Sequence, residues 1–231
     1  MAQIDNNKTI YCRKGQPHIQ PIGATFSVTF ITNDAIPKQV LVRLIERKKT
    51  VFREIDRDAL PEKWRRKQEI NCKFDRYLEK LLHAKSNQEH LLRNPVAATE
   101  VANRLELYAG KYYDLLAYSI MSNHVHLLAD FSIQCPKGWN GVDPLPDYVN
   151  LAQVLNFVKG GSSYDANKAV GRKGKLWNAG YYDRYIRDQK HLAQEFRYVV
   201  RNPEAAGLVD DWNDHPFTFG EAGLVEMLLG G

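Results

Sequence analysis

Two pairs of residues have types and spacings that could do chemistry: His124 and His126, and Tyr198 and Asn202. If the first pair lies in a strand, both imidazoles project from one face, about 7 Å apart along the backbone. Two neutral imidazoles so placed can converge on one divalent ion and leave positions for a carboxamide, water and substrate oxygens. Taken alone, the triplet describes hydrogen-bonded structural histidines equally well. If the second pair lies in a helix over 188 to 202, the phenol and the carboxamide sit roughly 40° apart. They occupy a flank beside the apolar stripe of Leu192, Phe196 and Val199 and can reach one point in space. A tyrosinate oxygen can attack phosphorus and form a covalent intermediate, and an asparagine oxygen is a hard metal ligand. Glu195 and Gln194 lie near the same flank as alternative ligands. A single tyrosine at the rim of a core would have the same pattern.

Between the two pairs runs a basic stretch. Arg172, Lys173, Lys175, Arg184, Arg187 and Lys190 stand against only Asp183 and Asp188, interleaved with Trp177, Tyr181, Tyr182 and Tyr185. Cations for phosphates and flat rings for bases are what single-stranded nucleic acid binding uses. A solvated strand edge would read much the same. Lys63 to Lys67 forms a second basic run, read as a charged helix face.

The elements that must position these residues are legible in outline. Thr25 to Phe30 alternates with period two, as a half-buried strand does. Residues 38 to 83 are charged and read as helical. Asn94-Pro95 supplies an N-cap and a first-turn proline for a helix with Val101, Leu105 and Tyr108 on its apolar face, closed by Gly110. Strands are expected over 114 to 121 and 124 to 131, with Val125, Leu127, Ala129 and Phe131 facing the core and the histidine face open. Residues 132 to 146 read as a loop. A helix carrying Leu151, Val154, Leu155 and Val158 follows, expected to end at Gly160-Gly161. A strand is expected within 176 to 186. Asp188 caps the last clear helix, and Pro203 ends it.

The whole chain bounds the possibilities. Its 231 residues suffice for one domain with a proper core. With 32 Lys+Arg against 27 Asp+Glu, a net charge of +5 permits a polyanionic partner without requiring one. No stretch is long and apolar enough to span a bilayer, so no membrane partner is expected, and the N-terminus lacks a secretory layout. Cys12, Cys72 and Cys135 are scattered and odd in number, which disfavours a disulfide framework or zinc ribbon and suggests a reducing, cytoplasmic setting. The expected organisation is an N-terminal segment 1–23, a single catalytic domain 24–217 with a charged helical insertion at about 38–83, and a tail 218–231.

Together these pieces resemble one family. Met121-Ser122-Asn123-His124-Val125-His126-Leu127-Leu128 resembles the HUH motif (histidine, hydrophobic residue, histidine) of the IS200-like transposases. Trp177-Asn178-Ala179-Gly180-Tyr181-Tyr182-Asp183-Arg184-Tyr185-Ile186-Arg187-Asp188 is similar to the stretch before the catalytic helix of REP-associated tyrosine transposases. Arg197-Tyr198-Val199-Val200-Arg201-Asn202-Pro203-Glu204-Ala205-Ala206-Gly207-Leu208-Val209 is similar to their nucleophile segment and its tail. Order and spacing agree from about Ala24 to Phe217.

The resemblance implies an α+β, ferredoxin-like (RRM-like) fold of the HUH endonuclease type, with an antiparallel sheet and packed helices. It implies Tyr198 as the single catalytic tyrosine, and Mg²⁺ or Mn²⁺ held by His124, His126 and Asn202. The expected activity is cleavage and rejoining of single-stranded or hairpin DNA at palindromic repeats, through a 5′-phosphotyrosine intermediate. Arg172, Lys173, Lys175, Trp177, Tyr182, Arg184 and Arg187 are the expected DNA contacts, and a monomer is favoured over a homodimer. The alternatives are a catalytically silent DNA-hairpin binder of the same fold, or a metal-dependent hydrolase using water. Asn178, where glutamine is expected after the tryptophan, and the long charged segment 38–83 depart from the shorter relatives. Both departures bear on which DNA is preferred.

Overall fold

The computed structural model describes residues 8–13, 16–57, 63–84 and 90–230. Strands β1 (Lys8–Arg13) and β2 (Gln16–Pro21) form a separate antiparallel hairpin that the sequence pattern did not announce. The main sheet holds β3 (Thr25–Ile31), β4 (Asp114–Ile120), β5 (His124–Asp130), β6 (Tyr182–Tyr185) and β7 (Thr218–Gly220). Its spatial order is β6-β3-β5-β4-β7, antiparallel throughout. With helix α3 (Pro95–Tyr108) between β3 and β4, and α4 (Leu151–Ala169) between β5 and β6, strands β3, β4, β5 and β6 have the βαββαβ order of a ferredoxin-like fold. The α+β class read from the sequence is what the chain forms.

The two faces of the sheet are covered differently. Phe26, Val28 and Phe30 of β3 and Val125, Leu127 and Ala129 of β5 pack under Val101 and Leu105 of α3 and Val154, Leu155 and Val158 of α4. Each fully buried side chain of this size contributes roughly 1.5–3 kcal/mol. On the opposite face, α5 (Gln189–Val200) lays Phe196, Val199 and Val200 on Ala117 and Leu128, followed by the short α6 (Asn202–Ala205) and, after β7, by α7 (Ala222–Leu229).

The charged segment folds as two helices, α1 (Lys38–Arg57) and α2 (Lys63–Leu82). Leu41 of α1 and Phe74, Leu78 and Leu82 of α2 bury against Ile31, Ala35 and Ile36, forming a smaller second core at one end of β3. Among the described residues, no helix is long and apolar enough to cross a membrane.

Local signals predict helix starts better than ends. The Asn94 side chain accepts from Val96 N, and the Asp188 side chain accepts from His191 N, as caps should. Helix α4 does not stop at Gly160-Gly161, however, and runs on to Ala169. Two interior glycines cost about 1 kcal/mol each relative to alanine. Against that cost, Ser162 and Ala166 continue the buried stripe. A Cβ at Gly161 would stand 2.8 Å from the Arg104 guanidinium, which reaches past it to Asp165 at 2.5 Å.

Candidate active site

Alternation along β5 puts His124 and His126 on the face turned from α3 and α4, with ring centroids 4.7 Å apart. That face is not open, as the sequence suggested. His124 and His126 retain 0% and 1% of their surface, because the end of α2 lies over them. Both rings are oriented from behind. His124 Nδ1 is 2.7 Å from Asn123 Oδ1, and a carboxamide oxygen can only accept, so Nδ1 carries the proton and Nε2 the lone pair. That Nε2 is buried without a hydrogen-bond partner. Burial first, and His126 second, hold the His124 pKa well below the usual histidine value, so the ring is neutral. His126 Nδ1 is 2.8 Å from Thr29 Oγ1 on the neighbouring strand, which leaves its Nε2 directed at the same pocket.

Helix α2 brings an acid to that pocket. Glu79 Oε1 lies 3.2 Å from His126 Nε2, 3.7 Å from His124 Nε2 and 3.0 Å from His83 Nε2. Burial opposes the charge on this carboxyl. The imidazoles of His126 and His83 outweigh that and hold its pKa far below the usual carboxylate range. The same pairing, the Glu79 hydrogen bond first, raises the pKa of His83. Asn123 secures the arrangement from the strand side, donating from Nδ2 to the carbonyl of Leu82 at 3.0 Å. Among the described residues, Glu79, His124 and His126 are the one group of acids, histidines and cysteines gathered tightly enough to hold an ion.

Helix α5 brings Tyr198 to the same place. Its ring stands edge-on to His126 at 5.1 Å. The residue keeps 40% of its surface and lines one cleft together with Glu79. Burial first, then the Glu79 carboxylate, push the phenol pKa well up, so it is protonated at rest. Asn202, 1% exposed, follows one turn later at the start of α6. Its Nδ2 donates to Glu79 Oε1 at 3.1 Å, and its Oδ1 faces His83 Nε2 at 3.3 Å. Turning the amide over would exchange the two atoms. Of the alternatives on this flank, Glu195 lines the same cleft but is paired with Arg184, and Gln194 is exposed.

The donor set therefore suits a hard divalent ion: two imidazole nitrogens, one of them an unpartnered buried lone pair, a carboxylate and a carboxamide.

A scan against protein-family models finds no match. Among curated proteins, the "Putative REP-associated tyrosine transposase" of Haemophilus influenzae is 24% identical over 106 residues, 46% of this chain and 58% of that protein. The resemblance is to the REP-associated tyrosine transposases. A solved structure described as a REP-associated tyrosine transposase bound to a REP hairpin covers 87% of this chain and 79% of its own. Its identity is 13% and its TM-score 0.48.

The residues that the cations and rings of 172–190 marked for DNA contact are dispersed. Trp177 is buried: its ring meets Phe30 edge-on at 4.8 Å and its Nε1 donates to Ser162 Oγ at 3.0 Å, leaving no face for a base. Tyr182 is half-buried against Phe74 of α2. Burial, with Asp75 behind it, pushes its phenol up to about 12. Arg184 bridges Asp75 of α2, at 2.8 Å, and Glu195 of α5. Arg172, Lys173, Lys175 and Arg187 are exposed, with Arg172 also bonded to Asn167.

Sequence reasoning missed Glu79, His83, Asn123 and Thr29. A usable signal existed for the first two, a glutamate and a histidine at i and i+4 in the charged segment, but the surrounding Lys and Glu residues hid it. No sequence signal marks Thr29, which reaches His126 only through strand pairing.

Proposed function

We propose that the chain is a metal-dependent single-stranded DNA endonuclease and strand transferase, with Tyr198 as nucleophile, acting on hairpin or palindromic repeat DNA. The observation that carries this reading is the convergence of a phenol on two inward-facing histidines and a carboxamide in one pocket of the sheet. His124, His126 and Asn202 would hold Mg²⁺ or Mn²⁺. Bound there, the ion would polarise a non-bridging oxygen of the scissile phosphate.

The protein's own residues do the rest. Asn123 and Thr29 fix the histidine rings, and α5 holds Tyr198 Oη beside them. Oη bonds to phosphorus as the bond to the 3′ oxygen breaks, leaving a 5′-phosphotyrosine and a free 3′-OH. The phenol loses a proton and the departing oxygen gains one. One phosphodiester replaces another, so no nucleotide cofactor is required, and a second 3′-OH can reverse the step to join strands. The exposed cations Arg172, Lys173, Lys175 and Arg187 would meet backbone phosphates. The catalytic unit is taken as residues 24–217, acting as a monomer.

Tyr198→Phe removes one oxygen and almost no volume. Incubation of parent and variant with labelled single-stranded hairpin DNA and Mn²⁺, followed by a denaturing gel, should show a covalent adduct for the parent and none for the variant. Binding should be retained by both, since phosphate and base contacts supply the affinity. An adduct that survives Tyr198→Phe would mean another nucleophile. Cleavage by the parent without any adduct would point to water.

A further inference from the structure

Helix α2 belongs to an insertion between β3 and α3, outside the sheet, yet it ends in the pocket. We infer that Glu79 is a metal ligand supplied by this insertion, so that the centre is completed only when α2 is docked on the sheet. The inference rests on the metal centre proposed above and adds to it a carboxylate that the sequence resemblance did not include.

Spacing is the first support. Two atoms bound to one ion at about 2.1 Å lie roughly 3.0 Å apart at right angles and roughly 3.4 Å apart at tetrahedral angles. Glu79 Oε1 stands 3.2 Å from His126 Nε2, within that range, and 3.7 Å from His124 Nε2, just beyond it. The lone pair of His124 is the second. It is buried without a hydrogen-bond partner, and among the described residues Glu79 is the carboxylate gathered with the two histidines. An ion between the two would satisfy both. Charge is the third. Two neutral imidazoles and a carboxamide leave a divalent ion uncompensated until phosphate arrives, whereas Glu79 neutralises half of that charge beforehand. The neighbours of Glu79 on α2 hold the helix in place: Asp75 is tied to Arg184 at 2.8 Å and Leu82 O to Asn123 at 3.0 Å.

The rival arrangement is a plug, in which Glu79 occupies the space of the ion and must leave before metal binds. Calorimetric titration of the full chain with MnCl₂, without DNA, separates the two. The parent and Tyr198→Phe should bind one ion, His124→Ala should lose it, and Glu79→Gln should bind tenfold or more weakly. Unchanged or tighter binding by Glu79→Gln, with His124→Ala still defective, overturns the ligand role and leaves the histidine centre standing. A parent that binds no ion removes both. Hydrogen exchange on the parent alone decides the same point without any variant. Mn²⁺ should slow exchange across residues 73–82 by clamping α2 to the sheet, whereas faster or unaltered exchange there overturns the inference.

Discussion

The two faces of β5 carry out opposite tasks with alternate residues. Val125, Leu127 and Ala129 lie in the apolar cluster under α3 and α4, and what stabilises them is area and fit. His124 and His126 are equally buried, but their cover is Glu79, His83, Asn202 and the edge of Tyr198. On the first face a change of shape is felt and a change of hydrogen bonding is irrelevant. On the second, each polar atom needs a defined partner, and the partners arrive on α2 and α5 from far along the chain. Burial alone therefore does not distinguish core from site. The chemistry of the covering atoms does.

The largest effect should come from the apolar face. Leu127→Ala is expected to destabilise the fold by about 2–5 kcal/mol, read from the urea midpoint, while Mn²⁺ affinity per folded molecule stays as in the parent. A loss of metal affinity out of proportion to the loss of folded protein would show that the two faces are not separable.

The next effect is one of pH, at the seam between the sheet and α2. Tyr182 is half-buried against Phe74 and beside Asp75, and its phenol is pushed up to about 12. Its folded pKa thus exceeds the ordinary value near 10. The stability it contributes is complete below about pH 10 and is lost as pH rises through about 12. Tyr182→Phe should therefore make the fall in stability over that window shallower, by on the order of 1–2 kcal/mol. An unaltered alkaline profile would mean that α2 does not cover this tyrosine in solution.

The smallest expected effect is at the latch. Asp75→Asn leaves Arg184 with Glu195 as its remaining ion pair. Because the pair is partly exposed, the expected cost is about 0.5–1 kcal/mol. Exchange should quicken in α2 and remain as it was in β5. Equal quickening in both elements would show that α2 and the sheet open as one unit.

Much of this was present in the sequence because it is local. Period-two alternation put His124 and His126 on one face of a strand. An i, i+4 spacing put Tyr198 and Asn202 on one flank of a helix, and caps at Asn94 and Asp188 set where helices begin. Those relations depend only on backbone geometry a few residues long. What covers the histidines was not local. Glu79 stands 47 residues before His126 and 123 before Asn202, so only the docking of α2 on the end of β3 brings them together. The same holds for Trp177 and Arg184: the composition of 172–190 offers cations and rings, but packing against Phe30 and Ser162 takes one, and pairing with Asp75 and Glu195 takes the other. Sequence spacing fixed which side chains share a face. The partners each one meets depended on which distant helix the buried apolar surface of Leu78 and Leu82 drew down onto the sheet.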